Sequence, residues 1–131
     1  MQAVMTEFIR TVPGLKLVAV VDGAEDALAS FGLHRPDVVI IDLLLRVGFG
    51  LDVLIEIKHR APECLVLIFT SCDAEQYRKR CLAAGADHFF SKIRHHRQLI
   101  LLLRDLGRRA QSAEPDAPAI RRPNPIGFHE N

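Results

Sequence analysis

The sequence has only three cysteines, Cys64, Cys72 and Cys81, and no two of them stand in C-x-x-C spacing. An odd number without that spacing argues against a disulfide framework, so the thiols read as free. Nor is there any excess of glycine and proline, 8 and 7 of 131 residues, which excludes collagen-like and low-complexity chains. Apolar runs such as Val38 to Ile41 and Leu99 to Leu103 fall far below the ~20 residues that span a bilayer. The N-terminus has no basic region ahead of an apolar core, and Glu7 and Arg10 interrupt Met1 to Val12. No signal peptide is expected, and the chain is expected in the cytoplasm with no membrane partner. What is present is 49% hydrophobic and 25% charged, the composition of a globular chain about one domain long.

The formal net charge of +1 conceals an uneven distribution. Between Asp73 and Arg109 nine Lys/Arg stand against four acids, a net of +5, and the remainder is net −4. Such a basic face can attract an acidic partner. It lacks the helix-turn-helix or aromatic-interleaved pattern of a nucleic-acid binder, so nucleic acid is not expected as a partner.

Along the chain, Val4, Phe8, Ile9 and Val12 form one helical stripe that Pro13-Gly14 ends. Leu15 to Val21 reads as a strand and Ala24 to Phe31 as a helix stopped by Gly32. Pro36 introduces the run Asp37 to Leu43, whose unbroken apolar character suits a strand covered on both faces. A helix from Leu51 to Ala61-Pro62 and an apolar strand from Leu65 to Phe69 follow. Ala74 to Ala84 reads as a helix with Asp73 as N-cap and Gly85 as terminator. His88 to Ser91 is a short strand, and Arg97 to Arg109 a last helix with Leu99, Leu102, Leu103 and Leu106 inward. From Gln111 the recurrence of Pro115, Pro118, Pro123 and Pro125 marks a flexible tail, so the expected organisation is a domain over residues 1–109 and a tail over 110–131. Strands alternating with crossover helices predict an α/β fold, a doubly wound parallel sheet with helices on both faces.

Ligands of doubly wound sheets gather at the carboxyl ends of the strands. Asp42, Thr70 and Lys92 close three of them. A carboxylate, a hydroxyl and an ammonium at one rim make a coherent phosphoryl site, the first as nucleophile and the other two as contacts to phosphoryl oxygens. Each also has a plain structural reading, as a loop cap, a strand threonine and a solvated lysine. Gly48-Phe49-Gly50 lacks the third glycine of a dinucleotide fingerprint, and the adjacent His95-His96 cannot chelate one metal as an i, i+4 pair could, so no enzymatic activity is expected.

The motifs Pro36-Asp37-Val38-Val39-Ile40-Ile41-Asp42-Leu43 with Gly50, Phe69-Thr70-Ser71, Ala84-Gly85-Ala86-Asp87 and Phe89-Phe90-Ser91-Lys92 are together similar to those of the response-regulator receiver domains of two-component signalling. The resemblance runs from about Met1 to Arg109. It implies a flavodoxin-like (CheY-like) fold, Asp42 as phosphoacceptor, Thr70 as switch hydroxyl, Lys92 as phosphoryl contact and Phe89 as the rotating switch aromatic. It also implies Mg²⁺, held by Asp42 and the backbone carbonyl of Leu44. The partners it implies are a histidine kinase or phosphotransfer protein upstream and a protein effector on the basic face around Arg78 to Arg104.

Three departures stand beside the resemblance. The chain starts inside what resembles the family's first helix, so the first strand and its acidic pair are missing and Mg²⁺ binding is expected to be weak or absent. Arg46 and Ile93 replace residues that are commonly proline in the family. In the flavodoxin-like strand order 2-1-3-4-5 the missing strand is internal. Leu15-Val21 and Val38-Leu43 must then pair directly, or expose an apolar edge that a homodimer or exchanged element would heal, unless residues encoded upstream of Met1 supply the strand. The expectation is a stand-alone receiver-like domain that accepts a phosphoryl group on Asp42, or alternatively a degenerate pseudo-receiver that only binds protein.

Overall fold

Val38-Val39-Ile40-Ile41 offers no polar side, and the chain buries all four residues. In the computed structural model, which describes residues 2–112 and 124–129, this run is one strand of a five-stranded sheet between two helical layers. The elements are α1 (Gln2–Thr11), β1 (Leu15–Val21), α2 (Ala24–His34), β2 (Val38–Ile41), α3 (Gly50–Arg60), β3 (Leu65–Thr70), α4 (Glu75–Ala83), β4 (His88–Ser91), α5 (His96–Ser112) and β5 (Asn124–His129).

Alternation along the strands divides the core. Val39, Ile41, Val66 and Ile68 meet Ala27 and Phe31 of α2, Val53, Leu54 and Ile57 of α3, and Cys81 of α4. Val38, Ile40, Leu67 and Phe69 meet Met5 and Ile9 of α1 and Leu99, Leu103 and Leu106 of α5. Each such side chain removed from water contributes roughly 1.5–3 kcal/mol, so the two faces of β2 and β3 anchor the fold. Burial pushes the Cys64 thiol up to about 12 and the Cys81 thiol to about 11, and the three cysteines are free.

The strand order is β1-β5-β2-β3-β4 with every pairing parallel, which is the flavodoxin-like arrangement. Its internal position is taken by β5, the strand furthest along the chain. Val38 to Ile41 pair with Ile126 to His129 on one side and with Leu65 to Ile68 on the other. β5 also pairs with β1, Leu15 opposite Asn124 and Val21 opposite His129. Two expectations are corrected by this. The stretch 110–131 is not all flexible tail, because α5 continues to Ser112 and Asn124–His129 is a sheet strand. Nor is the edge of β2 left for a second copy, since the same chain fills it, and the homodimer expected through that edge loses its basis.

Helix ends refine the sequence reading. Gly32 does not stop α2, which continues to His34 and turns through Arg35 at φ 45°, next to Pro36. Gly85 does follow α4 in the left-handed region, at φ +106°. Asp73 does not cap α4, because Ala74 occupies the cap position without a side-chain bond and the Asp73 carboxylate turns elsewhere. No helix among the described residues is long and apolar enough to cross a membrane.

Candidate functional site

Parallel strands bring their carboxyl ends to one rim. β2 ends at Ile41, opposite Ile68 of β3, and Thr70 at the end of β3 lies opposite Ser91 at the end of β4. Asp42 and Lys92 are the next residues along their strands, so the register alone carries Asp42, Thr70 and Lys92 to the same rim.

The side chains close on one another. Thr70 Oγ1 donates to Asp42 Oδ1 at 2.6 Å, and the Leu44 backbone N–H donates to the same oxygen at 3.0 Å. Lys92 Nζ donates to Asp42 Oδ2 at 2.8 Å. Asp42 is 3% exposed and Thr70 is fully buried. The reach of Lys92 is set twice more, by its backbone N–H on the Thr70 carbonyl at 2.9 Å and by the Phe69 ring, whose centroid is 5.7 Å from Nζ. Among the described residues Oδ1 therefore accepts two hydrogen bonds and Oδ2 one, so Oδ2 keeps a lone pair for an electrophile. Such a charge-assisted set holds the carboxylate in one orientation without burying it unpaired.

The neighbouring loop is shaped around this carboxylate. Gly50 opens α3 with its N–H on the Leu43 carbonyl at 2.9 Å, and a Cβ there would collide with the Asp42 carbonyl oxygen. Arg46 turns away to Asp22, Nε to Oδ2 at 2.8 Å, and its backbone N–H bonds the Asp22 carbonyl at 2.9 Å. Arg46 is therefore an exposed ion-pair partner of the loop after β1, and it does not bond Asp42. Phe89 is half-buried on β4 and packs against the core layer of α2, α3 and α4, away from the Asp42 bonds.

A hard divalent cation wants about six oxygen ligands, mostly carboxylate or carbonyl. No group of three or more His, Cys, Asp or Glu among the described residues gathers to hold a metal ion. Lys92, Thr70 and the Leu44 N–H already engage the Asp42 carboxylate, and Ser91 and Arg94 engage that of Asp73. The Asp22 carboxylate is engaged by Arg46. The described residues do not fit Mg²⁺.

Two residues at the rim escaped the sequence reading. Ser91 donates its hydroxyl to Asp73 Oδ2 at 2.5 Å, and its backbone N–H goes to His95 Nδ1 at 3.0 Å. The available signal was a serine directly before the rim lysine and an aspartate three residues after the rim threonine.

Comparisons with known proteins bear on the family and the fold. The family model described as response regulator receiver domain matches residues 1–104. The chain is 35% identical over 106 residues to "Probable transcriptional regulatory protein TcrX" of Mycobacterium tuberculosis, covering 81% of this chain and 45% of that protein. It is 33% identical over 100 residues to the response regulator MprA of a Mycobacterium species, covering 76% of this chain and 43% of that protein. The chain thus spans less than half the length of these relatives. Among solved structures, the response regulator domain of Thermotoga maritima CheB superposes with a TM-score of 0.71 at 24% identity, over 88% of this chain and 90% of that one, which bears on the fold alone.

Proposed function

We propose, for a chain that belongs to the response-regulator receiver family of two-component signalling, that Asp42 accepts a phosphoryl group from a phosphohistidine. Receivers as a class are signalling modules served by histidine kinases, and the donor here is such a kinase or a phosphotransfer protein in the cytoplasm. Asp42 Oδ2 attacks phosphorus in line with the leaving imidazole. The P–N bond breaks, an acyl phosphate forms on Asp42, and the departing nitrogen takes a proton from its own donor protein or water. Lys92, already within hydrogen-bond distance of Oδ2, contacts the incoming phosphoryl oxygens and offsets their charge. Thr70 leaves Asp42 Oδ1 and donates its hydroxyl to a phosphoryl oxygen, drawing the start of the β3–α4 loop inward. Phe89 then follows into the vacated space, and the basic face from Arg78 to Arg104 presents the change to a protein effector.

The observation that carries this reading is the convergence of Thr70 and Lys92 on one nearly inaccessible carboxylate. Incubation with acetyl phosphate, followed by intact mass, tests it. The expected result is one phosphoryl adduct on the wild-type chain and none on Asp42→Asn. An unmodified wild-type chain, with and without added Mg²⁺, sinks the proposal.

A second reading is favoured by one specific observation, the poor carboxylate supply around Asp42 among the described residues. In that reading the chain is a pseudo-receiver whose Lys92–Asp42 pair is permanent, and it works by protein binding alone. An adduct that forms only with Mg²⁺ argues against it, and so does one that forms without the ion.

A further inference from the structure

Two loops carry the groups that converge on Asp42. One follows β3 and begins at Thr70, and the other follows β4 and begins at Lys92. Their side chains are tied to each other at a second point away from Asp42. Ser91 Oγ donates across to Asp73 Oδ2 at 2.5 Å. Ser91 Oγ in turn accepts the backbone N–H groups of Ile93 and Arg94, each at 3.2 Å. The Ser91 N–H goes to His95 Nδ1, and Arg94 Nη2 reaches back to Asp73 Oδ2 at 3.6 Å.

A hydroxyl has one donor and two acceptor positions, and Ser91 uses all three. It is fully buried, and an apolar replacement would take away the side-chain acceptor of two loop N–H groups. The Ser91 hydroxyl, with Arg94 behind it, also holds the Asp73 carboxyl below the usual carboxylate range, so the acceptor is charged. The loop that starts with Lys92 is therefore wound about one hydroxyl, and that hydroxyl is fastened to the loop that starts with Thr70.

We infer that Asp73 and Ser91 are positioning residues that set the reach of Lys92 onto Asp42 and keep the Thr70 loop in step with it. In the resting protein this is a statement about where Lys92 sits. Its meaning for phosphoryl transfer rests on the function proposed above. The helix-cap role that would otherwise explain Asp73 is not what its carboxylate does, since Ala74 is the cap residue of α4 and makes no side-chain cap bond.

The resting-state test is amine acylation of the folded protein, read lysine by lysine by peptide mass. Lys92 and Lys58 are both covered and both paired, Lys92 with Asp42 and Lys58 with Asp87, while Lys16 and Lys79 are exposed. In Asp73→Ala the Lys92 acylation rate rises roughly five- to tenfold, the scale of one hydrogen bond lost, and Lys58 keeps its wild-type rate. Asp73→Asn retains an acceptor oxygen for Ser91 and stays near wild type. The inference is overturned if Lys92 reacts at the wild-type rate in Asp73→Ala, or if Lys58 rises in parallel, which marks general loosening. Ser91→Ala repeats the measurement from the other side of the bond.

Acetyl phosphate uptake gives the functional arm. Asp73→Ala slows it by about ten- to a hundredfold, the usual consequence of a slightly misplaced group. If the wild-type chain takes up no phosphoryl group, the functional reading falls while the acylation result still decides the positioning role. If the wild-type chain is modified and Asp73→Ala matches it in rate, the positioning role falls alone.

Discussion

The Asp42 carboxylate lies where water scarcely reaches, and three donors stand around it. Removing one partner from a buried pair leaves an uncompensated ion, which costs about 3–5 kcal/mol. Lys92→Ala is expected to lower unfolding free energy by that order in urea, and Asp42→Asn in the same chain to recover most of it. Equal costs for Lys92→Ala with and without Asp42→Asn would show that the pair is not coupled. The three rim residues were legible in sequence because each directly ends a strand whose apolar run is easy to see. Asp73 and Ser91 were not. An aspartate before a helix reads as a cap and a serine at a strand end reads as neutral, and an 18-residue separation leaves no local trace of their bond.

Among the elements, α3 and α2 each contain a glycine, and the two obey opposite rules. Gly50 begins α3 pressed against the backbone of Asp42, while the position of a Cβ on Gly32 in α2 is open space. Gly50→Ala is expected to cost about 1–3 kcal/mol as overpacking and to displace Asp42, so the phosphoryl uptake proposed for that residue falls with it. Gly32→Ala is expected to raise stability by roughly 0.5–1 kcal/mol, since a helical interior favours alanine. Thermal unfolding of the two variants side by side checks the pair of signs, and two losses or two gains would contradict it. The reading of Gly32 as a helix stop failed because a glycine is a permitted terminator and not an obligatory one. Pro36 denies residue 35 the right-handed helical region, and that is where α2 gives way.

For the molecule as a whole, the layered sheet and its four helix-connected strands could be read from alternating apolar runs and crossover helices. The identity of the internal strand could not. Asn124–His129 contains Pro125 and Gly127, both poor strand residues, and it sits among further prolines that mark a tail. Pro125 is tolerated because β5 has a neighbour on one side only at that point. It lies opposite Lys16 of β1, and pairing with β2 begins one residue later at Ile126. Without β5, β1 has no strand partner and β2 loses one of its two. A chain ending at residue 123 is therefore expected to lose amide protection across Leu15–Val21 and on the exposed side of Val38–Ile41, while the β3–β4 pairing keeps its own. Undiminished hydrogen-exchange protection of β1 in that shortened chain would show that β5 does not support the sheet.

The same connectivity dictates a timetable. Synthesis runs from amino to carboxyl terminus, so the ribosome delivers α1 to α5 and the other four described strands before the one that belongs in their midst. Until then each nascent copy carries the wholly apolar β2 with one edge unpaired, and neighbouring polysomal chains offer one another the same vacancy. Biogenesis, more than the finished molecule, is where this arrangement invites intermolecular mistakes and calls for chaperone cover.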